Sequence, residues 1–340
     1  MKIKFINLQL FADPSDTFTY SSTLNTNTTQ GAGLSNEMKT YYSDYLIDMA
    51  EPELVHDQFA QKHPIPRNGG KTIQFRKYAS LAKATTPLTE GVTPQGKKLN
   101  VSVIEATVEQ FGDYVALSDM LIMTAIDNNI VEATKLLGSQ AGRTLDTITR
   151  DAMAAGTNIL YGDGSFATRS ALITGKETAP AKLTVKAIKR AAHDLKAQNA
   201  PKIDGSYVAI IHPDTEFDVM NDPEWIAASQ YAGSQQIFLG EIGKIGGVRF
   251  VETSEAKIIV DSSTPIYYTF VLGANAYGTT EITGGGLQHI VKQLGSSGTA
   301  DPLNQRATVG WKATKVSKVL VDEYMVRVET VSSFPSRTAN

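Results

Sequence analysis

Two stretches decide the fold: Thr72-Ile73-Gln74-Phe75-Arg76-Lys77-Tyr78, and then Leu99-Asn100-Val101-Ser102-Val103-Ile104-Glu105-Ala106-Thr107-Val108. In the first, Ile73 and Phe75 alternate with Thr72, Gln74 and Arg76, the period of two that sends successive side chains to opposite faces of a strand. In the second, Leu99, Val101 and Val103 alternate before the phase shifts to Ile104, Ala106 and Val108, which predicts a β-bulge at the shift. The connection between them, residues 79–98, holds Pro87, Gly91, Pro94 and Gly96. It is far longer than the ~2 to 5 residues of a hairpin loop. A two-stranded ribbon with so open a tip is not stable alone in water, so the pattern predicts a ribbon that lies on a neighbour.

Upstream, residues 15–35 are rich in Ser, Thr, Asn and Gly and read as an arm with too little apolar surface to form a core. From Leu34 to Gln61, Met38, Tyr41, Tyr42, Tyr45, Leu46 and Met49 recur at helical spacing, break at Glu51-Pro52 and resume through Leu54, Val55 and Phe59. An amphipathic helix there needs an outside surface.

Downstream, Asn129 to Ala155 keeps apolar residues at 3 and 4 spacing up to Gly156, predicting a long helix. Gly138 and Gly142 inside it suggest close packing against a strand or sheet. Thr184 opens a second helix. Tyr207 to Ile211 reads as a buried strand stopped by His212-Pro213, and Asp222-Pro223-Glu224 as another helix start. Strands follow at 246–252, 258–260 and 266–272. Ala307, Val309, Trp311 and Ala313 then alternate, as does 324–331, predicting that the chain closes as an antiparallel pair covered by the long helix.

The 340 residues exceed a single core of about 250 to 300 and suggest two lobes. At 41% hydrophobic and 20% charged, the composition is that of a globular chain. Lacking cysteine, the chain has no disulfides, thiolate metal sites or Cys nucleophile. No run approaches a membrane span of about 18 apolar residues, and Asn7, Gln9 and Asp13 spoil a secretory signal, so synthesis in the cytosol is expected. The net charge of −3 hides opposite neighbours: residues 1–60 carry 3 basic and 8 acidic groups, residues 61–118 carry 8 basic and 4 acidic.

Chemistry is sparse. Gly243-Lys244 lacks the opening glycine and the hydroxyl of a P-loop, since Phe238 and Ile245 stand there. Gly284-Gly285-Gly286 reads as turn geometry. His212, Asp214 and Glu216 form the one compact histidine and carboxylate group, read as a helix cap in preference to a metal or acid–base site.

The order of elements carries a family likeness, and so do its motifs. These are Asn7 to Ala12, Pro87-Leu88-Thr89-Glu90-Gly91-Val92-Thr93-Pro94, Gln110-Phe111-Gly112-Asp113-Tyr114, Leu117-Ser118-Asp119, His212-Pro213, Phe238 to Gly243, Gly247 to Thr253 and Gly310-Trp311-Lys312. The chain resembles tailed-bacteriophage major capsid proteins of the Hong Kong 97 phage-type fold, in the coat-protein family related to that of the N-four phage.

The resemblance implies an α+β fold: an N-terminal arm with an amphipathic helix (1–63), an extended β-ribbon loop (64–118), a peripheral domain with a spine helix (119–180 and the returning strands of 296–340), and an axial α/β domain (181–295). It implies a non-enzymatic, cofactor-free and metal-free subunit that self-assembles into hexamers and pentamers of an icosahedral shell. The shell would enclose double-stranded DNA without sequence-specific binding or a membrane. A portal and a separate scaffolding protein are the expected partners, with assembly in the host cytoplasm and residence in the virion. No acceptor motif for covalent crosslinking matches. Candidate intersubunit contacts are Lys83, Glu90, Lys97 and Lys98 in the loop and Tyr41, Tyr45, Asp48 and Glu51 in the arm. Two other readings stay open at this point: a nanocompartment shell of the same fold, and a metal-dependent hydrolase built on His212, Asp214 and Glu216.

Overall fold

A computed structural model of the chain describes residues 26–27, 55–78, 81–93, 95–124, 129–232, 243–296 and 301–340. In chain order the strands and helices begin with β1 (Thr26–Asn27), β2 (Gln61–Lys62), β3 (Thr72–Tyr78), β4 (Val101–Thr107), β5 (Glu109–Ser118), α1 (Asp119–Thr124) and α2 (Asn129–Ala154). Then come β6 (Ile159–Tyr161), α3 (Arg169–Thr174), α4 (Val185–Ala197), β7 (Tyr207–Ile211), α5 (Pro213–Met220) and α6 (Pro223–Ala232). The remainder is strand: β8 (Lys244–Ile245), β9 (Val248–Glu252), β10 (Ile258–Asp261), β11 (Thr264–Leu272), β12 (Tyr277–Thr280), β13 (Gln288–Lys292), β14 (Arg306–Val319) and β15 (Met325–Thr330).

These fall into two compact units, a smaller one that includes Asp113–Lys135 and His289–Gly310, and a larger one of Ile47–Gly112, Leu136–Gln288 and Trp311–Asn340. The larger unit is organised by a sheet of order β6-β15-β11-β7-β9-β8, with β10 added to β11. Its centre is apolar on both faces because helices cover both. Ala209, Ile211, Val271, Val326 and Val328 meet the Val185, Ile188, Ala192 and Leu195 stripe of α4. The alternate residues Ile210, Phe270, Leu272 and Met325 meet Met153 of α2 and Leu172 of α3. α4 begins at Thr184, whose hydroxyl accepts from the Ala187 amide at 3.2 Å.

The two strands expected to close the chain as a pair do not pair with each other. β14 joins β5, β12 and β13, whereas β15 runs between β6 and β11 in the other sheet. Its interior position explains why all six residues are buried, charged ones included. Glu329 is paired by Arg169, which donates to both carboxylate oxygens at 2.7 and 2.8 Å, and Arg327 lies over the Tyr268 ring at 4.8 Å. Such charges survive burial only when partnered.

α2 has the length expected of it and covers β14 as expected: the Trp311 indole donates to Gln140 at 3.3 Å, and Thr149 and Ser317 hydroxyls meet at 3.0 Å. Met325 Cε would lie 2.7 Å from a Cβ on Gly156, just past the helix end. Gly138 departs from expectation, for nothing lies within 4 Å of where its Cβ would be. The helix predicted to resume through Leu54, Val55 and Phe59 is a turn at 56–59 leading into β2. That turn is fixed by tertiary contacts. The His56 amide and imidazole Nδ1 both reach the Asp146 carboxylate of α2, at 2.8 and 2.6 Å and fully buried, and Lys315 pairs with Asp57 at 2.8 Å.

Because Gly138 is an open, exposed position in a helix interior, Gly138→Ala is expected to stabilise the unassembled subunit by about 1 kcal/mol. Asp146→Ala, which strands a buried imidazole, is expected to cost about 3 to 5 kcal/mol. Chemical denaturation of both variants beside the parent checks the pair.

Candidate functional site

The β3–β4 ribbon is regular from Thr72↔Thr107 to Tyr78↔Val101, with one residue opposite one residue throughout. The predicted bulge at Ile104 is therefore absent, and Ile104 sits directly opposite Phe75. The phase shift that suggested it has another cause. Ile73, Phe75, Ile104 and Ala106 share one face and turn toward the subunit, where His63 packs edge-on against Phe75 at 5.8 Å. Tyr78, Val101 and Val103 share the opposite face and are 59%, 46% and 49% exposed. The apolar residues of the inner face end at Ile104, and those of the outer face, which also carries Gln74, Arg76 and Glu105, begin at Val103.

Along its length the ribbon is lightly held. A cavity of about 440 Å³ lies beside it, lined by His63, Ile73, Phe75, Ile104, Asn275 and Leu320. Lys77 bridges to Glu323 at 3.0 Å with both side chains substantially in solvent. Such a pair contributes little to stability.

Beyond the last rung, residues 81–93 and 95–100 form no strand and are exposed. Lys97 Nζ donates to the Ala82 carbonyl at 2.6 Å and ties the two limbs together. Lys83, Glu90 and Lys98 share this tip with Lys97, and all four are exposed. The tip also exposes Leu88 and Val92, at 77% and 62%. Tyr41, Tyr45, Asp48 and Glu51 lie outside the described residues. Sequence reasoning did not single out the exposed outer ribbon face, although the alternation of Val101 and Val103 was its signal. In the smaller unit, α1 exposes Met120 and Met123 while Leu121 is buried, and β13 exposes Ile290 and Val291.

His212, Asp214 and Glu216 are brought together, but as a cap. The His212 imidazole accepts from the Asp214 amide at 3.0 Å at the start of α5. Asp214 is taken up by Arg337, which donates to both of its oxygens at 2.8 and 2.9 Å, and by the Tyr267 hydroxyl at 2.7 Å. Burial raises the Asp214 carboxyl, but Arg337 and Tyr267 outweigh it and the net displacement is downward. Burial, then the Glu252 carboxyl hydrogen-bonded to it, pushes Glu216 up to about 7. Among the described residues no group of three or more His, Cys, Asp or Glu is placed to hold a metal, and no helix is long and apolar enough to cross a membrane.

A family model described as phage capsid protein matches residues 102–328, about two thirds of the chain. No curated protein sequence is significantly similar. Among solved structures, the capsid of cyanophage P-SCSP1u is 15% identical, covering 93% of this chain and 100% of its own at a TM-score of 0.66. The capsid of Ralstonia phage GP4 is 17% identical over 92% of this chain and 100% of its own, at 0.68. The capsid of cyanophage Pam1 is 15% identical over 97% and 100%, at 0.64.

The two carboxyls give opposite pH dependences. Glu216 binds a proton in the folded chain between its ordinary 4.5 and about 7, where the unfolded chain has released it, so this group adds stability as pH falls through that window. Asp214 contributes fully above its ordinary 3.8 and loses its contribution as pH falls below that, through its depressed folded value. Denaturation of the unassembled subunit across acidic pH is expected to show both limbs. Glu216→Gln should remove the gain on mild acidification and leave the loss in strong acid.

Proposed function

The chain belongs to the phage capsid protein family, and from that premise we propose that its work is assembly: copies join as hexamers and pentamers of an icosahedral shell that encloses double-stranded DNA. It is a structural protein, not an enzyme, with the Hong Kong 97 phage-type capsid fold, and its place is the virion capsid. One observation carries the proposed mode of assembly. The ribbon presents Tyr78, Val101 and Val103 on a face that its own subunit leaves exposed. Burying that face on an adjacent copy gains roughly 25 cal/mol per Å² of apolar surface, which nothing in the isolated subunit supplies.

The remaining parts are assigned accordingly. Residues 1–63 serve as the arm, 64–118 as the ribbon loop, 119–180 with 296–340 as the peripheral domain and 181–295 as the axial domain, with β15 of the last segment seated in the axial sheet. The arm, with Tyr41, Tyr45, Asp48 and Glu51, reaches a neighbour, where its acidic groups meet the tip lysines Lys83, Lys97 and Lys98. The net charge of −3 supports enclosure of DNA without sequence-specific binding, because a mildly acidic subunit releases few counterions from a duplex. A portal and a separate scaffolding protein complete the proposal, with assembly in the host cytoplasm.

Replacing Leu81 to Lys98 by a short turn is expected to leave a folded, soluble subunit and to abolish shells. Circular dichroism reads the first outcome and electron microscopy the second. Shells of normal size and stability from that variant would remove the ribbon from the mechanism.

A further inference from the structure

We propose that Glu90, at the apex of one copy's ribbon, seats its carboxylate between Arg67 and Lys312 at the ribbon root of the next copy. Tip-to-root pairing of identical chains would then set the direction in which subunits join. The inference rests on the assembly reading above and names the partner of the ribbon tip.

The receptor is a hollow of about 380 Å³ bordered by Arg67, Asn68, Gln110, Thr283, Gln288 and Lys312, all within the larger unit. Arg67 Nε donates to the Thr283 carbonyl at 3.2 Å, which pins the guanidinium. Its terminal amino groups have no protein acceptor among the described residues. Gly284 makes this possible: its φ is +80°, and a Cβ there would collide with the Arg67 guanidinium, so only glycine lets that side chain lie against the turn. Lys312 projects from β14 into solvent without an acidic partner among the described residues. The carboxylate on the adjoining segment, Glu281, lies against Gly286, where a Cβ would be 3.3 Å from its Oε2, and it does not border the hollow. A pinned guanidinium and an unpaired ammonium bordering one hollow suit a carboxylate, which can accept from both.

The ligand is as particular. Between residues 79 and 98 Glu90 is the sole acid, among Lys83, Lys97 and Lys98. It occupies a turn closed by the Val92 amide donating to Thr89 at 3.2 Å, with Gly91 at φ +76°. Exposed Leu88 and Val92 flank it, apolar groups that leave water only against another surface. Within one chain the two sites stand at opposite ends of the ribbon. Arg67 and Gln110 flank the root rung Thr72↔Thr107, and Tyr78↔Val101 lies six residues further on, about 20 Å at strand rise. The Lys97 to Ala82 hydrogen bond holds the tip together beyond that rung. The carboxylate therefore meets its cations in another copy. The contact is heterologous, of the kind that closes rings.

Charge exchange tests it. Glu90→Lys is expected to lower the assembled fraction by about tenfold or more, and Lys312→Glu, alone or with Arg67→Glu, to do the same, each with subunit circular dichroism and melting unchanged. Glu90→Lys placed in the Arg67→Glu, Lys312→Glu background should restore shells, read by sedimentation and electron microscopy. Lys312→Glu keeps the test decisive should Arg67→Glu disturb the turn. Normal assembly of Glu90→Lys, or single blocks that the exchange does not relieve, overturns the pairing. In that event loss of shells on removing Leu81 to Lys98 would still uphold the ribbon's role, so the two ideas fail separately.

Discussion

A β-ribbon two strands wide has two faces, and one compact subunit can cover only one of them. Here the covered face is Ile73, Phe75, Ile104 and Ala106, and the other is Tyr78, Val101 and Val103. Everything around the ribbon follows from that division. Towards its outer end the ribbon meets the body through the exposed Lys77–Glu323 ion pair beside an open cavity, so that end costs little to adjust. Its final stability must come from whatever covers the second face.

For such a ribbon to act on a neighbour, its base must not yield. The larger unit supplies that rigidity through burial on both faces of its sheet and through buried charged groups held by partners from distant segments. Asp146 of α2 binds the His56 backbone and ring at once, and Tyr277 donates to the His56 carbonyl at 2.5 Å. The turn before β2 is thereby fastened to α2 on one side and to β12 on the other. β2 then pairs with β12 only ten residues before the ribbon begins, Lys62 opposite Thr279. Force applied to the ribbon is delivered to a core strand and a 26-residue helix.

Most of this architecture was legible. Period-two and period-three-to-four patterns located β3, α2, α4, β7 and β11 because each buries one kind of face consistently. What misled was composition read without sheet position. β15 alternates Arg327 and Glu329 with valines, which looks like a half-exposed strand, yet it is interior: the two charges pair with each other, and Arg169, the Ala154 carbonyl and the Tyr268 ring complete their partners from other elements. No local pattern encodes a partner some 160 residues away. The shift at Ile104 misled for the converse reason: both halves were apolar faces, and a pattern assuming one buried face had to invent a bulge. Gly138 suggested close packing that the subunit does not contain. At the candidate site, the exposure of Lys83, Glu90, Lys97 and Lys98 was readable from the polar, proline-rich and glycine-rich tip. The hollow at Arg67 and Lys312 was not, because 245 positions separate those residues in sequence and only the fold juxtaposes them.

The modest size of each contact is itself a functional property. A shell built from strong pairwise bonds would freeze its first errors, since affinity differences reside mainly in dissociation rates. The proposed pairing of an exposed carboxylate with two exposed cations, together with burial of three apolar side chains of a ribbon face, would form an individually weak and reversible joint. A closed ring multiplies such joints, and once a subunit is held by several at once each further contact forms at high effective concentration. Misplaced copies, lacking part of the set, leave faster than correctly placed ones. On this argument the near-neutral charge of −3, with its cations and anions kept apart along the chain, avoids strong self-repulsion while leaving local complementarity to choose the register.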